Sequence, residues 1–409
     1  MMKFAHMGDC HIGAWRDQKL SDAAIKAFVK AVDKCIDENV DFVLISGDLF
    51  NTSLPGIDNL KMVVKKLKLL KDRNIPVYTI AGSHDFSPSG KTMLEVLEKA
   101  ALVINVFKAE ITDKRVLLSF TVDQKTGAKI TGIIGKKGML DKKYYEDLVK
   151  DNLEQEPGFK IFMLHTAIDE FKPRELERIN SAPLNFLPRN FSYYAAGHVH
   201  YRFERTQQGY GTIVYPGPLF PTNFREIEDL GHGSFCIVDV DDSRNIRITH
   251  EPVKVYNVLC IKMNCDRKNP MQIEEMLKER IKTSEFFNTI VTIRLFGTLE
   301  TGKPSDINFR DIFSMFYKKG AYFVMKSATM LSSREFEETD VEEKPGEDVE
   351  HDIIKEHLGQ IKIPGMTAGK EEELTKKLIQ LLDKEKEEGE LVKEFESRIS
   401  DETSKLFDI

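Results

Sequence analysis

The sequence predicts an α/β protein with a two-sheet sandwich core flanked by helices. The first hundred residues alternate strand-like runs with helical patterns in the order β-α-β-α-β-α, which is typical of a layered α/β domain. Beyond residue 110 the strand-like runs come closer together and carry turn signals, which favours a second sheet. A strand-helix-strand-helix-strand pattern over 253–329 predicts a small βαβαβ module beside the core, and helical segments close the chain as a tail.

The elements of the core are predicted from apolar spacing and turn signals. Apolar residues share one face of 22–38, with Ser21 as the expected N-cap, and a similar stripe over 57–73 predicts a second helix. Two more helices are expected over 92–102 and 141–153. The predicted strands are 2–7, 42–45, 76–81, 116–122, 129–134, 160–164, 191–196, 211–215, 234–240 and 247–251, of which the last three are expected to complete the second sheet.

Charge is distributed unevenly along the 409 residues. The net charge is -7, but residues 335–409 carry 24 acidic and 11 basic side chains, a net of -13, which leaves +6 for residues 1–334. A basic body suits a polyanionic substrate and an acidic tail suits a protein partner, although a solvated helix also explains the tail. Apolar side chains recur on one side of the tail helices from Leu374 to Ile399, which favours packing into a groove of a partner or of the chain's own body.

The composition argues against a membrane-spanning or disulfide-rich protein. No apolar run approaches the ~20 residues that cross a bilayer, and the first residues lead into a strand without a signal-peptide pattern. The five cysteines are odd in number and scattered, which favours reduced thiols in the cytoplasm.

Acidic and histidine side chains follow several strand-like runs. Asp48 closes the run 42–45, at the strand end where open α/β sheets bind their ligands. Carboxylates and imidazoles suit divalent cations such as Mn²⁺, and the two oxygens of Asp48 can bridge a pair of ions. Each residue alone is also explained as a cap or a core residue, but together they predict a metal site. The other strand-end groups are Asp9-Cys10-His11, Gly82-Ser83-His84-Asp85, His165 and Gly197-His198-Val199-His200.

The order of these motifs resembles that of the calcineurin-like metallophosphoesterases over residues 2–200. Within that superfamily, 9–13, 46–50 and 215–217 are similar to the DNA double-strand-break repair nucleases of the meiotic-recombination-eleven/SbcD family, with an archaeal-like domain plan. The implied domains are a two-sheet metallophosphoesterase (nuclease) core over 1–252, a capping domain over 253–330, an acidic linker over 331–350 and a helical partner-docking segment over 351–409.

The resemblance also implies a site for two Mn²⁺ ions. His84 would stabilise the scissile phosphate or protonate the leaving oxygen. One ion would be held by Asp9, His11, Asp48 and His200, and the other by Asp48, Ser83, His165 and His198.

Two positions depart from the family pattern. Ser83 stands where the family has an asparagine ligand, and because a hydroxyl is shorter and a weaker donor, the second ion is expected to bind loosely or through a water. Asn51 stands where the family commonly has a histidine linked to exonuclease action. It can hydrogen-bond a phosphate but cannot act as an acid near neutral pH.

The resemblance implies a Mn²⁺-dependent DNA exonuclease and endonuclease that acts with a Rad-fifty-type SMC-like ABC ATPase in double-strand-break repair. The ATPase would dock on 351–409, a homodimer would form through helices near 57–73 and 92–102, and the protein would work at the nucleoid in the cytoplasm of a prokaryote. Two alternatives remain open: a phosphoesterase for a small phosphodiester, and a scaffold between DNA and the ATPase whose nuclease is weakened by Ser83 and Asn51.

Overall fold

The fold is known from a computed structural model of the chain. It describes residues 1–87, 90–112, 115–136, 142–172 and 181–334, and in the tail residues 370, 373–375, 377–378, 381, 384 and 392–407. These residues fall into two compact units, Met1–Ser333 and Arg334–Ile409. The domain boundaries expected from the sequence stay predictions.

The strands fill the first unit and are numbered along the chain. They are β1 (Met2–Met7), β2 (Phe42–Ser46), β3 (Val77–Ile80), β4 (Ile104–Asn105), β5 (Ala109–Thr112), β6 (Arg115–Leu118), β7 (Thr121–Val122), β8 (Lys129–Gly132), β9 (Lys160–His165), β10 (Ala167–Ile168), β11 (Ser181–Ala182), β12 (Tyr193–Gly197), β13 (Arg202–Gln207), β14 (Gly211–Pro216), β15 (Gly233–Val240), β16 (Ile246–Val253), β17 (Asn257–Asn264), β18 (Thr289–Leu299) and β19 (Phe323–Ser333).

The helices lie mostly between these strands. They are α1 (Gln18–Asp37), α2 (Ile57–Asp72), α3 (Met93–Lys99), α4 (Lys142–Glu146), α5 (Asp151–Glu154), α6 (Phe224–Leu230), α7 (Pro270–Thr283), α8 (Phe309–Lys318) and, in the second unit, α9 (Val392–Phe407).

Two six-stranded sheets form the core within the described part of the chain, which confirms the predicted two-sheet fold. The first has the order β16-β15-β1-β2-β3-β4 and the second β13-β14-β12-β9-β8-β7. β1 to β4 are parallel, as are β8, β9, β12 and β14. Parallel strands of one sheet end at the same edge, so each sheet presents a row of carboxyl ends.

Side chains of β9 alternate between two hydrophobic clusters. Ile161 and Met163 pack into the cluster that contains the first sheet and α1, whereas Phe162 and Leu164 pack into a cluster on the other face of the second sheet. This period of two is what a strand buried on both faces requires. The apolar run before His165 is therefore buried on both faces of the second sheet, between the two hydrophobic clusters.

The last strands of the core differ from their prediction. β15 pairs antiparallel with β1, so that Cys236 lies opposite His6, and β16 pairs with β15. These two strands extend the first sheet, and only β14 of the expected three joins the second. The open edge of β1 accounts for this, because β15 is apolar on both faces and is buried there.

Three local expectations are also corrected. α1 begins at Gln18 because the carboxylate of Asp17 accepts the Lys19 amide hydrogen bond at 2.9 Å, and Ser21 is buried inside the helix. The strand expected over 116–122 is divided into β6 and β7, and the helix expected over 141–153 into α4 and α5.

Residues 257–333 form a three-stranded parallel sheet in the order β17-β18-β19, here called the three-stranded module. α7 and α8 cover it with buried side chains that include Leu277 and Phe316. The Asn269 side chain accepts from the Gln272 amide while the Gln272 side chain accepts from the Asn269 amide, which is a capping box at the start of α7.

The second unit is described only in part, and residues 351–369 of the helical segment expected over 351–409 lie outside the described residues. In α9, Glu402 accepts a hydrogen bond of 2.6 Å from the ammonium group of Lys384. None of the described helices combines the length and apolar character that a bilayer crossing requires.

Candidate metal centre

The predicted site residues follow the carboxyl ends of strands in both sheets. Asp9, Asp48 and Ser83 lie beyond β1, β2 and β3, while His165 ends β9 and His198 follows β12. The two sheets meet here, since His165 Nδ1 lies 2.8 Å from the carbonyl oxygen of Ser46 on β2. The structure therefore brings the predicted groups to one place.

Left-handed backbone turns several of these side chains inward. The φ angles are 50° at Asp9, 42° at His11, 51° at Asp48 and 89° at His198. Non-glycine residues adopt this region uncommonly, and such conformations cluster at functional sites. Hydrogen bonds between the loops after β1 and β2 hold it, including His11 N to Asp48 O at 2.9 Å.

Asp9, His11 and His200 form the first group of possible ligands. His11 Nε2 and His200 Nε2 are 3.0 Å apart, and His200 Nε2 is 4.0 Å from Asp9 Oδ1. The opposite ring nitrogens are bound elsewhere: Nδ1 of His11 to Asn51 Oδ1 at 3.2 Å and Nδ1 of His200 to Glu226 Oε1 at 2.9 Å. With both Nδ1 atoms donating, two lone pairs face each other beside a carboxylate, and a cation between them satisfies all three.

Asp48 lies between this group and a second one. Its Oδ2 is 3.6 Å from His11 Nε2 and 3.1 Å from His165 Nε2. His165 Nδ1 donates to the Ser46 carbonyl, so its Nε2 is the ligand atom that faces Asp48. Cis ligands of an octahedral ion with bonds of ~2.1 Å are about 3 Å apart, so these separations fit a pair of ions that share Asp48.

Ser83 and His198 complete the second group less tightly. The Ser83 hydroxyl donates to Asp48 Oδ2 at 3.4 Å, and it is a neighbour of the shared carboxylate. The His198 ring packs against that of His165 with centroids 5.2 Å apart, and its backbone amide donates to Asp9. Among the described residues, three groups of histidine and carboxylate side chains have their ligand atoms within 4.8 Å of one another; together they contain the other six predicted side chains, and His198 is in none of them.

The neighbouring histidines keep the shared carboxylate of Asp48 ionised. Burial by itself would lower the pKa of His165, but the adjacent Asp48 carboxylate raises it to about 10, so a cation bound at Nε2 would replace the proton held there. Although burial disfavours a charged carboxylate, His165 and His11 hold the pKa of Asp48 well below its usual range. A buried anion thus remains ionised at neutral pH, as a metal ligand must.

His84 lies beside the ligands and is held by the backbone. Its amide donates to Asp48 Oδ1 at 2.7 Å, and its Nδ1 lies 3.0 Å from the carbonyl oxygen of Asn51. Its ring is edge-on to His11, with centroids 4.8 Å apart. The Nε2 atom therefore remains available to a bound group.

Three residues that support the site were not predicted. Asp85 accepts from the amides of Asp48 and Gly82 at 2.9 Å each, which joins the loops after β2 and β3. Glu226 binds His200 from α6, and His6 links the sheets through Ser46 and Tyr193 at 2.9 Å each. Asp85 stands in a noted motif, but no sequence pattern connects Glu226 with His200.

A cleft of about 550 Å³ opens onto the centre. His11, Asp48, Ser83, His84, His198 and His200 line its floor, and residues of α6 line one wall. The cleft gives a substrate phosphate access to the possible ligands and to His84.

Comparison with known proteins agrees with this arrangement. The calcineurin-like phosphoesterase family matches residues 2–202. The DNA double-strand break repair protein Mre11 of Archaeoglobus fulgidus is 29% identical over 245 residues, which cover 55% of this chain and 52% of that protein. For Mre11 of Methanococcus maripaludis the identity is 28%, with 56% and 60% covered.

A third relative extends the match. Mre11 of Methanocaldococcus jannaschii is 30% identical over 272 residues, covering 60% of this chain and 67% of that protein. The chain thus spans between half and two thirds of the length of these curated relatives. Metallophosphoesterases are a dimetal family, and the groups of ligands described above fit that expectation. The chain belongs to the Mre11 family, and its residues 2–202 match the calcineurin-like phosphoesterases.

Proposed function

We propose that the chain is a Mn²⁺-dependent DNA exonuclease and endonuclease of double-strand-break repair. The observation that carries the proposal is the convergence of two imidazole–carboxylate groups on the carboxylate of Asp48 at the foot of an open cleft. The names of the archaeal relatives supply the substrate class, DNA with double-strand breaks. Oxygen and imidazole ligands suit Mn²⁺.

The ligands divide into two sets that share Asp48. Two bound cations would activate a water and neutralise charge on the phosphate. Asp48 remains ionised between the two sets, and His11 and His165 direct Nε2 at it because their Nδ1 atoms are engaged. One set is Asp9, His11, Asp48 and His200; the other is Asp48, Ser83, His165 and His198.

His84 is the proposed catalytic residue. Because its Nδ1 is bound by the Asn51 carbonyl, its Nε2 faces the cleft and is placed to stabilise the scissile phosphate or to protonate the leaving oxygen. Asn51 stands next to both His11 and His84 and contacts them without offering an acid of its own.

Partner surfaces are proposed on two parts of the chain. A homodimer would use α2 and α3, where Val63 and Leu67 point into the core while Ile57 and Val96 remain 83% and 57% exposed. An SMC-like ATPase of the Rad50 type would dock on residues 351–409. If the dimer forms in this way, Ile57→Asp should shift the sedimentation of the protein from dimer to monomer.

If the ATPase docks on 351–409, removal of these residues should abolish ATPase binding and leave nuclease activity unchanged.

Cleavage of linear and hairpin DNA with Mn²⁺ tests the function. The wild type should cleave, and His84→Ala should cleave at least ~10²-fold more slowly while it binds Mn²⁺ as the wild type does. His232→Ala, outside the centre, is the matched control. Equal cleavage by His84→Ala would refute the catalytic assignment. Hydrolysis of a small phosphodiester without DNA cleavage would favour a different phosphoesterase, and DNA binding without hydrolysis would favour a scaffold.

A further inference from the structure

Glu226 holds the ring of His200 from outside the predicted ligand set. Its Oε1 accepts from His200 Nδ1 at 2.9 Å, on the ring edge opposite the nitrogen that faces His11 and Asp9. A carboxylate only accepts, so it fixes the proton on Nδ1 and leaves the Nε2 lone pair for a metal. Carboxylates in this position orient histidine ligands and make them more basic.

The Glu226 carboxylate is itself held in place. Its Oε2 accepts from the backbone amide and the hydroxyl of Thr222 at 2.7 and 3.0 Å, and the side chain of Asn223 donates to Oε1 at 2.6 Å. Asn223 caps α6 by accepting from the Glu226 amide at 2.9 Å. The contact with His200 therefore depends on where α6 starts.

The other side of α6 is bound to the three-stranded module. The guanidinium of Arg294, on β18, donates to Glu228 Oε2 through Nε and Nη2, each at 2.8 Å, and lies 5.0 Å from the ring centroid of Phe224. The Glu228 side chain is 2% exposed, and its Oε1 has no hydrogen-bond partner among the described residues. Separating α6 from β18 would leave this buried carboxylate without its guanidinium partner, which is costly, so the ion pair keeps the two elements together.

We propose that Glu226 is a positioning residue for His200, and that Arg294 keeps α6 in the place this contact needs. The inference rests on the proposed metal site. Glu226 and Glu228 are two residues apart on one short helix and reach to opposite sides of it. The three-stranded module therefore supports one of the two proposed metal ions through α6. A displacement of the module would act on His200 first.

A glutamine at 226 separates positioning from a structural role. Glutamine leaves the Asn223 cap on the backbone amide of residue 226 in place, but it has one acceptor oxygen instead of two and lacks the charge that fixes the His200 tautomer. Mn²⁺ titration of the metal-free full chain by calorimetry should show two sites in the wild type. In Glu226→Gln one site should weaken about tenfold and the other should stay unchanged. Asp229→Asn, which removes the same charge from α6, should match the wild type.

The outcomes separate this inference from the proposed function. Two sites of wild-type affinity in Glu226→Gln would overturn the positioning role and leave the function intact. Equal weakening of both sites together with a lower unfolding midpoint would show a merely structural role and overturn it as well. A wild type that binds no Mn²⁺ would refute both proposals.

The link to the module is tested with Glu228→Gln/Arg294→Met. The double change removes both charges, so neither is left buried alone. We expect the same Mn²⁺ site to weaken several-fold, and the triple variant that adds Glu226→Gln to be no weaker than Glu226→Gln alone, because both changes act through one contact. Wild-type affinity in the double variant, or additive losses in the triple, would overturn the link.

Discussion

The Asn51 side chain lies 3.2 Å from His11 Nδ1, and its backbone carbonyl oxygen lies 3.0 Å from His84 Nδ1. One residue thus sets the orientation of a proposed metal ligand and of the proposed catalytic histidine. The side-chain amide oxygen of Asn51 orients His11, and its backbone carbonyl oxygen orients His84.

Asn51→Leu should weaken one Mn²⁺ site by about tenfold, because His11 loses the acceptor for its Nδ1 hydrogen. The backbone carbonyl that holds His84 is retained. Asn51→Asp keeps an acceptor and serves as the matched control, with affinity at least equal to that of the wild type because a carboxylate makes the His11 ligand more basic. Calorimetric titration of the metal-free protein measures both. Unchanged affinity in Asn51→Leu would mean that His11 is oriented by the surrounding packing alone.

Ser83→Asn should strengthen the second Mn²⁺ site. The Ser83 hydroxyl lies 3.4 Å from Asp48 Oδ2 and is only 8% exposed, so a longer side chain at this position extends its amide oxygen toward the space beside Asp48 and His165. An amide oxygen is a better ligand for Mn²⁺ than a neutral hydroxyl. We expect a several-fold gain in affinity at the weaker of two sites, with Ser83→Ala as control. A gain in neither binding nor hydrolysis would show that another group already fills this position.

The candidate metal centre could be predicted from the sequence because its acidic and histidine residues lie at the ends of strands. Asp9, Asp48 and His165 each follow an apolar run, and parallel strands bring their carboxyl ends to one edge. The sequence pattern does not predict the backbone conformation of these residues. The left-handed φ of Asp9 and His198 arises from hydrogen bonds between loops that only the assembled sheets create.

The supporting residues depend on tertiary contacts of the same kind. In the sequence, nothing distinguishes Glu226 from a solvent-exposed glutamate on a short helix. Its contact with His200 forms only because α6 packs beside the cleft. Likewise, β15 was expected in the second sheet, because alternation of apolar residues reports a strand but not its neighbour. The local sequence pattern thus predicts the strands and helices and where they end. Which strands pair, and which residues hold the proposed metal ligands, depends on tertiary packing.

His6 should make stability fall as the pH falls. The ring is fully buried between Ser46 on the first sheet and Tyr193 on the second, and burial lowers its pKa to about 3, from an ordinary value of 6.5. The unfolded chain takes up a proton below pH ~6.5 whereas the folded chain does not, so the contribution of neutral His6 is complete above that pH and is lost on the way down to about 3.

Urea unfolding of the metal-free protein at several pH values checks this. Between pH ~6 and ~4 the free energy of unfolding should fall more steeply in the wild type than in His6→Gln, by up to about 1.4 kcal/mol per pH unit. Glutamine offers a donor and an acceptor to the same two partners but does not titrate. Parallel pH profiles for the two proteins would contradict the assignment, since the buried imidazole would then be protonated in both states or in neither.

Gly82→Ala should disturb both metal sites at once. A Cβ at this position would lie 2.3 Å from Asp48 Oδ1 and 2.4 Å from the Asp48 amide nitrogen, so the shared carboxylate must move. We expect the loss of both Mn²⁺ sites in calorimetry and a decrease of about 1–3 kcal/mol in the free energy of unfolding. Gly127→Ala is the matched control, because its φ of 73° brings strain of about 1–2 kcal/mol while its Cβ meets no atom within 4 Å. The two variants should therefore lose similar stability, and only Gly82→Ala should lose metal. Two intact Mn²⁺ sites in Gly82→Ala would show that Asp48 is not shared between the ions.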